Sequence, residues 1–202
     1  PSQADLLHLD IMNNGVTILG DGGSYSYNNK EKWLNYFSGI ESHNTIQFDK
    51  SEPMPRLSRF LFGNWPNVKS LSSKIYKMST KVSSKYVDYL GRSHERGVSV
   101  KYRVWTINDN VSGFINYAIL RWRLCKSEWS VKGNKVVGKL ANINVHFDND
   151  QAVEIKIVKG FESLYYNKYE EVDVLEIKLY KPCTITTIVT LINALLLIYV
   201  SF

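Results

Sequence analysis

A chain of 202 residues with a formal net charge of +6 is long enough to bury one real core, and one domain is expected. Its two cysteines, Cys125 and Cys183, do not amount to a disulfide framework and leave the redox compartment undecided. It has no P-loop, no dinucleotide-binding glycine pattern, no Gly-x-Ser-x-Gly elbow and no Cys-x-x-Cys pair, so those enzyme classes drop out.

Pro1 opens the chain with no Met, charged n-region or apolar h-region, which reads as a piece of something longer with any targeting signal upstream. Leu6–Met12 and Val16–Leu19 are short apolar runs divided by Asn13-Asn14-Gly15, strong hairpin punctuation. Asn29–Ser42 places Trp33, Phe37 and Ile40 at helical spacing, and Thr45–Phe48 alternates as a strand. Leu71, Ile75, Met78 and Val82 also fit a helical period, with Lys74, Lys77, Lys81 and Lys85 alongside. The Ser and Thr between them are poor helix formers, which favours exposed strand. Period-two alternation then recurs in Val98–Val104, Ile115–Leu124, Ile143–Phe147, Val153–Ile157 and Leu175–Leu179, with Trp129–Val131 and Lys135–Val137 flanking a Gly133-Asn134 turn.

Short strands divided by Gly, Asn and Asp predict an all-β protein, an antiparallel two-sheet β-sandwich. Thirteen Tyr and five Trp suit pleated sheets, and equally a sugar-binding face. The sandwich is expected over residues 1–187, followed by an apolar tail at 188–202. The tail reads as a buried terminal strand or helix, with a membrane-associated segment and an out-of-frame remnant as the alternatives.

Eleven basic residues between Arg56 and Arg103 face only Asp88 and Glu95. That is either a solvated face or a surface that attracts a polyanion, with Lys74, Lys77, Lys81 and Arg96 as the candidate contacts. No nucleic-acid-binding signature accompanies the charge, so a uronic-acid or sulfated polysaccharide is the expected partner rather than nucleic acid. His94 and His146 read as structural.

Three polar clusters stand beside the opening strands: Gln3-Ala4-Asp5, Asp21-Gly22-Gly23-Ser24-Tyr25-Ser26-Tyr27 and His43-Asn44-Thr45. With Arg59-Phe60-Leu61, His94-Glu95-Arg96, Arg121–Leu124, Glu162–Tyr166 and Thr184–Thr187 following in order, the chain resembles the C-terminal β-sandwich of the heparinase II/III-like polysaccharide lyases. The resemblance implies β-elimination on a uronic-acid-containing, heparin-like polysaccharide in a periplasmic or secreted setting. It also implies an N-terminal helical toroid as partner, which carries most of the acid–base groups, so this portion alone is expected to be inactive. In that family a His, an Asp and a His from the three clusters bind zinc, which would fall here on Gln3, Asp21 and His43, with the amide of Gln3 a poor ligand. A family His two places earlier falls on Pro1, which can do no acid–base chemistry. Tyr25 and Tyr27 stand where the family's sandwich Tyr would be. Strand parity through residues 3–12 points His8 away from Gln3, as an ordinary strand histidine. A non-catalytic anionic-glycan-binding module and a purely structural domain are the alternatives.

Overall fold

The computed structural model describes residues 3–58, 61–76 and 79–192. β1 (Ile11–Asn13) and β2 (Val16–Leu19) pair across Asn14 and Gly15, both at positive φ (49° and 79°), the backbone that a two-residue hairpin of this hand demands. Helix α1 (Glu31–Ser38) occupies the segment with helical spacing, and a single 3-10 turn, Ile40–Ser42, leads into β3 (Ile46–Phe48). After the small pair β4 (Arg56–Ser58) and β5 (Leu61–Phe62) come two long strands, β6 (Asn67–Tyr76) and β7 (Ser79–Val87). The Ser- and Thr-rich stretch whose period fitted a helix is therefore strand. The chain continues through β8 (Ser93–Lys101), β9 (Val104–Ser112), β10 (Ala118–Arg123), β11 (Trp129–Lys132), β12 (Lys135–Gly138) and β13 (Ala141–Phe147). It closes with β14 (Val153–Tyr165), β15 (Lys168–Leu179) and β16 (Cys183–Leu191).

These strands form an all-β sandwich of two unequal antiparallel sheets. The larger runs β11-β12-β13-β16-β9-β8-β7-β6 and the smaller β14-β15-β10-β3. Alternation decides what lies between them: Ile107, Val111, Ile143, Val145, Ile185 and Val189 from the larger sheet meet Leu120, Trp122, Leu175, Ile177, Ile46 and Phe48 from the smaller, all buried. The indole N–H of Trp122 crosses the gap to donate to Thr187 Oγ1 at 3.3 Å. β10 is buried on both faces because α1 covers its outer side, where Tyr36 meets Arg123.

Strand β16 runs unbroken to Leu191, so the boundary expected between residues 187 and 188 falls inside a central strand. Residues 193–202, the rest of the expected tail, lie outside the described residues. Among the described residues no helix is long and apolar enough to cross a membrane. Cys125 and Cys183 are free.

Candidate functional site

The loop after β2 is held by backbone on both sides. Gly22 N–H donates to Ser42 O (2.9 Å), Ser163 N–H donates to Gly22 O (2.8 Å), and Gly23 bridges to Ser163. A Cβ at Gly23 would stand 2.1 Å from Ser163 O, and its φ of +79° is one that side-chain-bearing residues rarely adopt, so glycine is required there. This fixes Asp21 opposite the lead-in to β3. One carboxylate oxygen, Oδ1, accepts the Gly23 N–H; the other, Oδ2, lies 2.8 Å from His43 Nδ1 and 3.8 Å from His8 Nε2.

His8 reaches the cluster because the chain before β1 is a turn and not the strand that parity assumed. Leu7 takes a φ of 56° and His8 N–H closes back on Asp5 O at 2.9 Å. That turn swings the imidazole to within 5.3 Å of the His43 ring, edge to face. The sequence-based placement of His8 away from the site is corrected accordingly, and Gln3 stands against the loop that carries Asp21. Its amide Nε2 donates to Gly23 O (3.2 Å) and Phe37 O (3.4 Å), bracing the Asp21 loop against α1.

Asn44 joins the pieces. Its N–H donates to His8 Nδ1 (2.9 Å), its side-chain Nδ2 donates to Leu9 O (2.9 Å) and Gly20 O (3.2 Å), and its Oδ1 accepts Arg123 N–H (2.6 Å). Beneath it sits Arg96, expected on a polyanion-binding surface but only 4% exposed. One guanidinium nitrogen, Nη1, donates both to Leu7 O and to Asn44 O, each at 2.6 Å, tying the His8 turn to the His43 segment. The other donors engage Asp109, at 2.7 and 3.2 Å, and the guanidinium lies over the Trp122 ring. Asp109 also accepts from His94 Nε2 (2.6 Å), and all three of these ionisable side chains are buried. Arg96 is a positioning residue with no donor turned to solvent along β8. The signal was in the sequence: His94, Arg96, Val98 and Val100 share one parity, Glu95, Ser99 and Lys101 the other.

Burial pulls the Asp21 carboxyl upward, but the His43 hydrogen bond, the imidazole's charge and the Gly23 N–H outweigh it and hold the group below its ordinary range. One ligand atom each from His8, Asp21 and His43 lie within 4.8 Å of one another, the one such group among the described residues. Two imidazoles and a carboxylate are a fair donor set for zinc, whose tetrahedral ligands stand about 3.3 Å apart. Because the Asn44 N–H donates into His8 Nδ1, the proton of neutral His8 is on Nε2, where it donates to Asp10 Oδ1 at 2.8 Å. Likewise His43 Nδ1–H donates to Asp21, while His43 Nε2 is buried with no hydrogen-bond partner. Coordination through His8 Nε2 and His43 Nδ1 would move both ring protons, at about 1–3 kcal/mol for each donor left unpaired, which is small beside the roughly 10–16 kcal/mol of a structural zinc, so the three side chains fit the ion as a donor set. Zinc-loaded protein is expected to keep about one equivalent through dialysis and Asp21→Asn to lose it, by metal analysis; a parent protein that retains none would count against the site.

The remaining expected site residues fall in two places. Tyr25, at φ 55°, packs its ring against Trp33, Phe37 and Tyr169, and its hydroxyl accepts from Asn29 Nδ2 at 3.3 Å. Tyr27 is 52% exposed beside Tyr166 at the tip of the β14–β15 hairpin. Next to Asp21 a groove of about 570 Å³ opens, with Asp10, Arg123, Lys126 and Glu162 on its walls. Burial, reinforced by Glu170, raises the Glu162 carboxyl above its usual range. Lys74 and Lys81 are elsewhere, on the face of the larger sheet turned away from the sandwich interior, and Lys77 lies outside the described residues.

A model of the family described as Heparinase II/III-like, C-terminal, matches residues 1–178. Among solved structures, a heparinase III superposes with a TM-score of 0.75 at 20% identity, covering 95% of this chain and 30% of that one. Heparan sulfate lyase HepC from Pedobacter heparinus gives 0.76 at 16%, covering 95% and 31%. A second heparinase III, with methylated lysines, gives 0.76 at 17%, covering 94% and 30%. At these identities the likeness is one of fold, and the chain spans under a third of each structure's length. No curated protein matches by sequence.

Proposed function

This chain belongs to the heparinase II/III-like C-terminal family, and from that premise we propose that it is the sandwich domain of a polysaccharide lyase. Its substrate is a uronic-acid-containing polysaccharide, cleaved by β-elimination in a periplasmic or secreted setting with an N-terminal helical toroid. In that reaction a base removes the C5 proton, the electron pair forms the C4–C5 double bond, and the C4–oxygen bond breaks as an acid protonates the leaving oxygen. The carboxylate must be neutralised for the proton to leave. The observation that carries the reading is the convergence of His8, Asp21 and His43 from three separate segments beside an open groove.

Within this proposal the cluster orders one wall of the cleft. Asp21 holds the His43 ring by its Nδ1–H, and Asp10 holds His8 through Nε2–H, so both imidazoles present fixed tautomers. No step is routed through zinc. Where a cation does enter at His8, Asp21 and His43, the chemistry it supplies is charge neutralisation. Tyr27 is the proton-transfer group of the sandwich, because it is exposed while the Tyr25 ring is enclosed by aromatic side chains.

The full-length protein is expected to raise the ultraviolet absorbance of a uronate polymer as unsaturated ends form, and residues 1–202 alone to give none. Tyr27→Phe in the full-length protein is expected to lower kcat by about a hundredfold or more, the usual weight of a positioned acid or base. Full-length protein that cleaves no uronate polymer yet still binds one would instead support a non-catalytic glycan-binding module.

A further inference from the structure

We propose that the outward face of the eight-stranded sheet is a second binding surface, taking a linear polyanionic saccharide at a distance from the cleft. Register fixes which side chains share that face. Lys74 pairs with Lys81, then Ser99, Thr106, Ile188, Asn144 and Lys135 follow across seven strands. At about 4.8 Å per strand this single row spans about 29 Å. By the same alternation Lys85, Lys101 and Lys132 belong to the face as well. Among the described residues, Lys85 is the one of these six lysines that meets a carboxylate of the same face, Glu95 at 3.7 Å. Arg96 and Asp109, on the opposite parity of the same strands, point inward, where Arg96 donates to Asn44 O beside His43, so the lysine face is turned away from the His8, Asp21 and His43 cluster.

The chemistry between the lysines selects the ligand. The next row holds Ser72, Ser83, Gly97, Asn108, Thr186 and His146, and a Cβ added at Gly97 would meet nothing within 4 Å, leaving an open notch in mid-face. The hydroxyls and amides bond one another in pairs, Ser72 with Ser83 at 2.8 Å and Thr186 to Asn108 at 2.8 Å, and these atoms still offer lone pairs and protons at the surface. A flat ladder of hydroxyl and amide groups edged by ammonium groups suits a chain that carries both hydroxyls and anions. Single-stranded nucleic acid is held by successive aromatic stacking platforms, and on this face the row from Lys81 to Lys135 has no aromatic side chain, Tyr76 standing at the β6 edge in register with Ser79 and Lys101. The surface therefore acts as an exosite that retains the polymer while the cleft acts on it.

The test uses the full-length protein and heparin as probe. Lys81→Glu/Lys101→Glu/Lys135→Glu is expected to weaken heparin binding about tenfold or more at low salt and to flatten its salt dependence, with the melting temperature unchanged since all three side chains are exposed. The corresponding Gln variant is expected to lose an intermediate amount. The Glu variant is expected to cleave a short uronate oligosaccharide, which does not need the lysine face, at the parent's rate, which separates this proposal from the lyase reading. Unchanged heparin affinity in both lysine variants would overturn it. So would double-stranded DNA displacing heparin at equal charge and losing affinity in the same variants, an outcome that would assign the face to nucleic acid.

Discussion

Asp109→Asn is expected to destabilise the protein by about 3–5 kcal/mol, the scale seen when one partner of a buried ion pair is removed. In a domain of this size that lowers Tm by roughly 10 °C or more. The magnitude follows from what the carboxylate holds: Arg96 through two donors and His94 through a third, all buried. Burial keeps His94 neutral, depressing its proton affinity below the ordinary histidine value against the pull of Asp109. The Asp109 carboxyl, though burial opposes it, is held below its usual range by the Arg96 charge and by His94. Both groups have folded-state values below their unfolded ones, so each contributes stability at neutral pH. The histidine's part is lost as pH falls below about 6.5, where the unfolded chain takes up a proton the folded one refuses, and the aspartate's below about 4. The same variant should reach the site, because Arg96 Nη1 holds the Leu7 and Asn44 carbonyls together. Slowly exchanging ring-proton resonances of His8 and His43 are expected in the parent and are expected to vanish in the variant. A variant melting within about 2 °C of the parent would remove Arg96 and Asp109 from this role.

Glu52→Gln is expected to act in the opposite direction. The carboxylate accepts the Ile40 N–H at 2.9 Å at the start of the 3-10 turn that delivers His43, in a recess shared with Trp33, Tyr36 and Glu41. Burial, with Glu41 adding to it against the Ile40 N–H and Arg121, pushes the group up to about 7. Between about 4.5 and 7 the folded protein holds a proton that the unfolded chain has released, so stability declines as pH rises through that window. An amide keeps the acceptor oxygen and has no charge to bury. At pH 8 the variant should gain about 2 kcal/mol, read as a Tm higher by roughly 4–8 °C, with little difference at pH 4. Equal gains at both values would locate the effect in packing and not in ionisation.

The sandwich was legible because its strands bury one face. In β13 Ala141, Ile143 and Val145 alternate with Asn142, Asn144 and His146, and in β15 Leu175, Ile177 and Leu179 with Glu176 and Lys178, so parity alone gives sheet and side. The Lys-bearing hairpin of β6 and β7 was harder, since Leu71 and Ile75 satisfy a helical period and a strand period together; Ser and Thr settled it. Asp21 and His43 could be picked out because they flank glycines and a strand start. His8 could not, since its position depends on one residue of positive φ at Leu7, a conformation that leucine seldom adopts and no periodicity signals. Charge density misled for Arg96: a count of basic residues along the chain is blind to which side of a strand each one takes.

Strand β16 is the last of the described strands and sits in the middle of the larger sheet, paired to β13 on one side and β9 on the other. The block β6–β9 and the block β11–β13 have no other hydrogen-bonded connection in that sheet. As the chain leaves the ribosome, each block therefore waits with an open edge at β9 and at β13 until Cys183–Leu191 emerges to be laid between them. At about 5–20 residues per second the interval between β13 and the end of β16 lasts seconds, long enough for those edges to find each other wrongly or to find another chain. The temporal weak point of this protein is thus the seam that its finished form hides best.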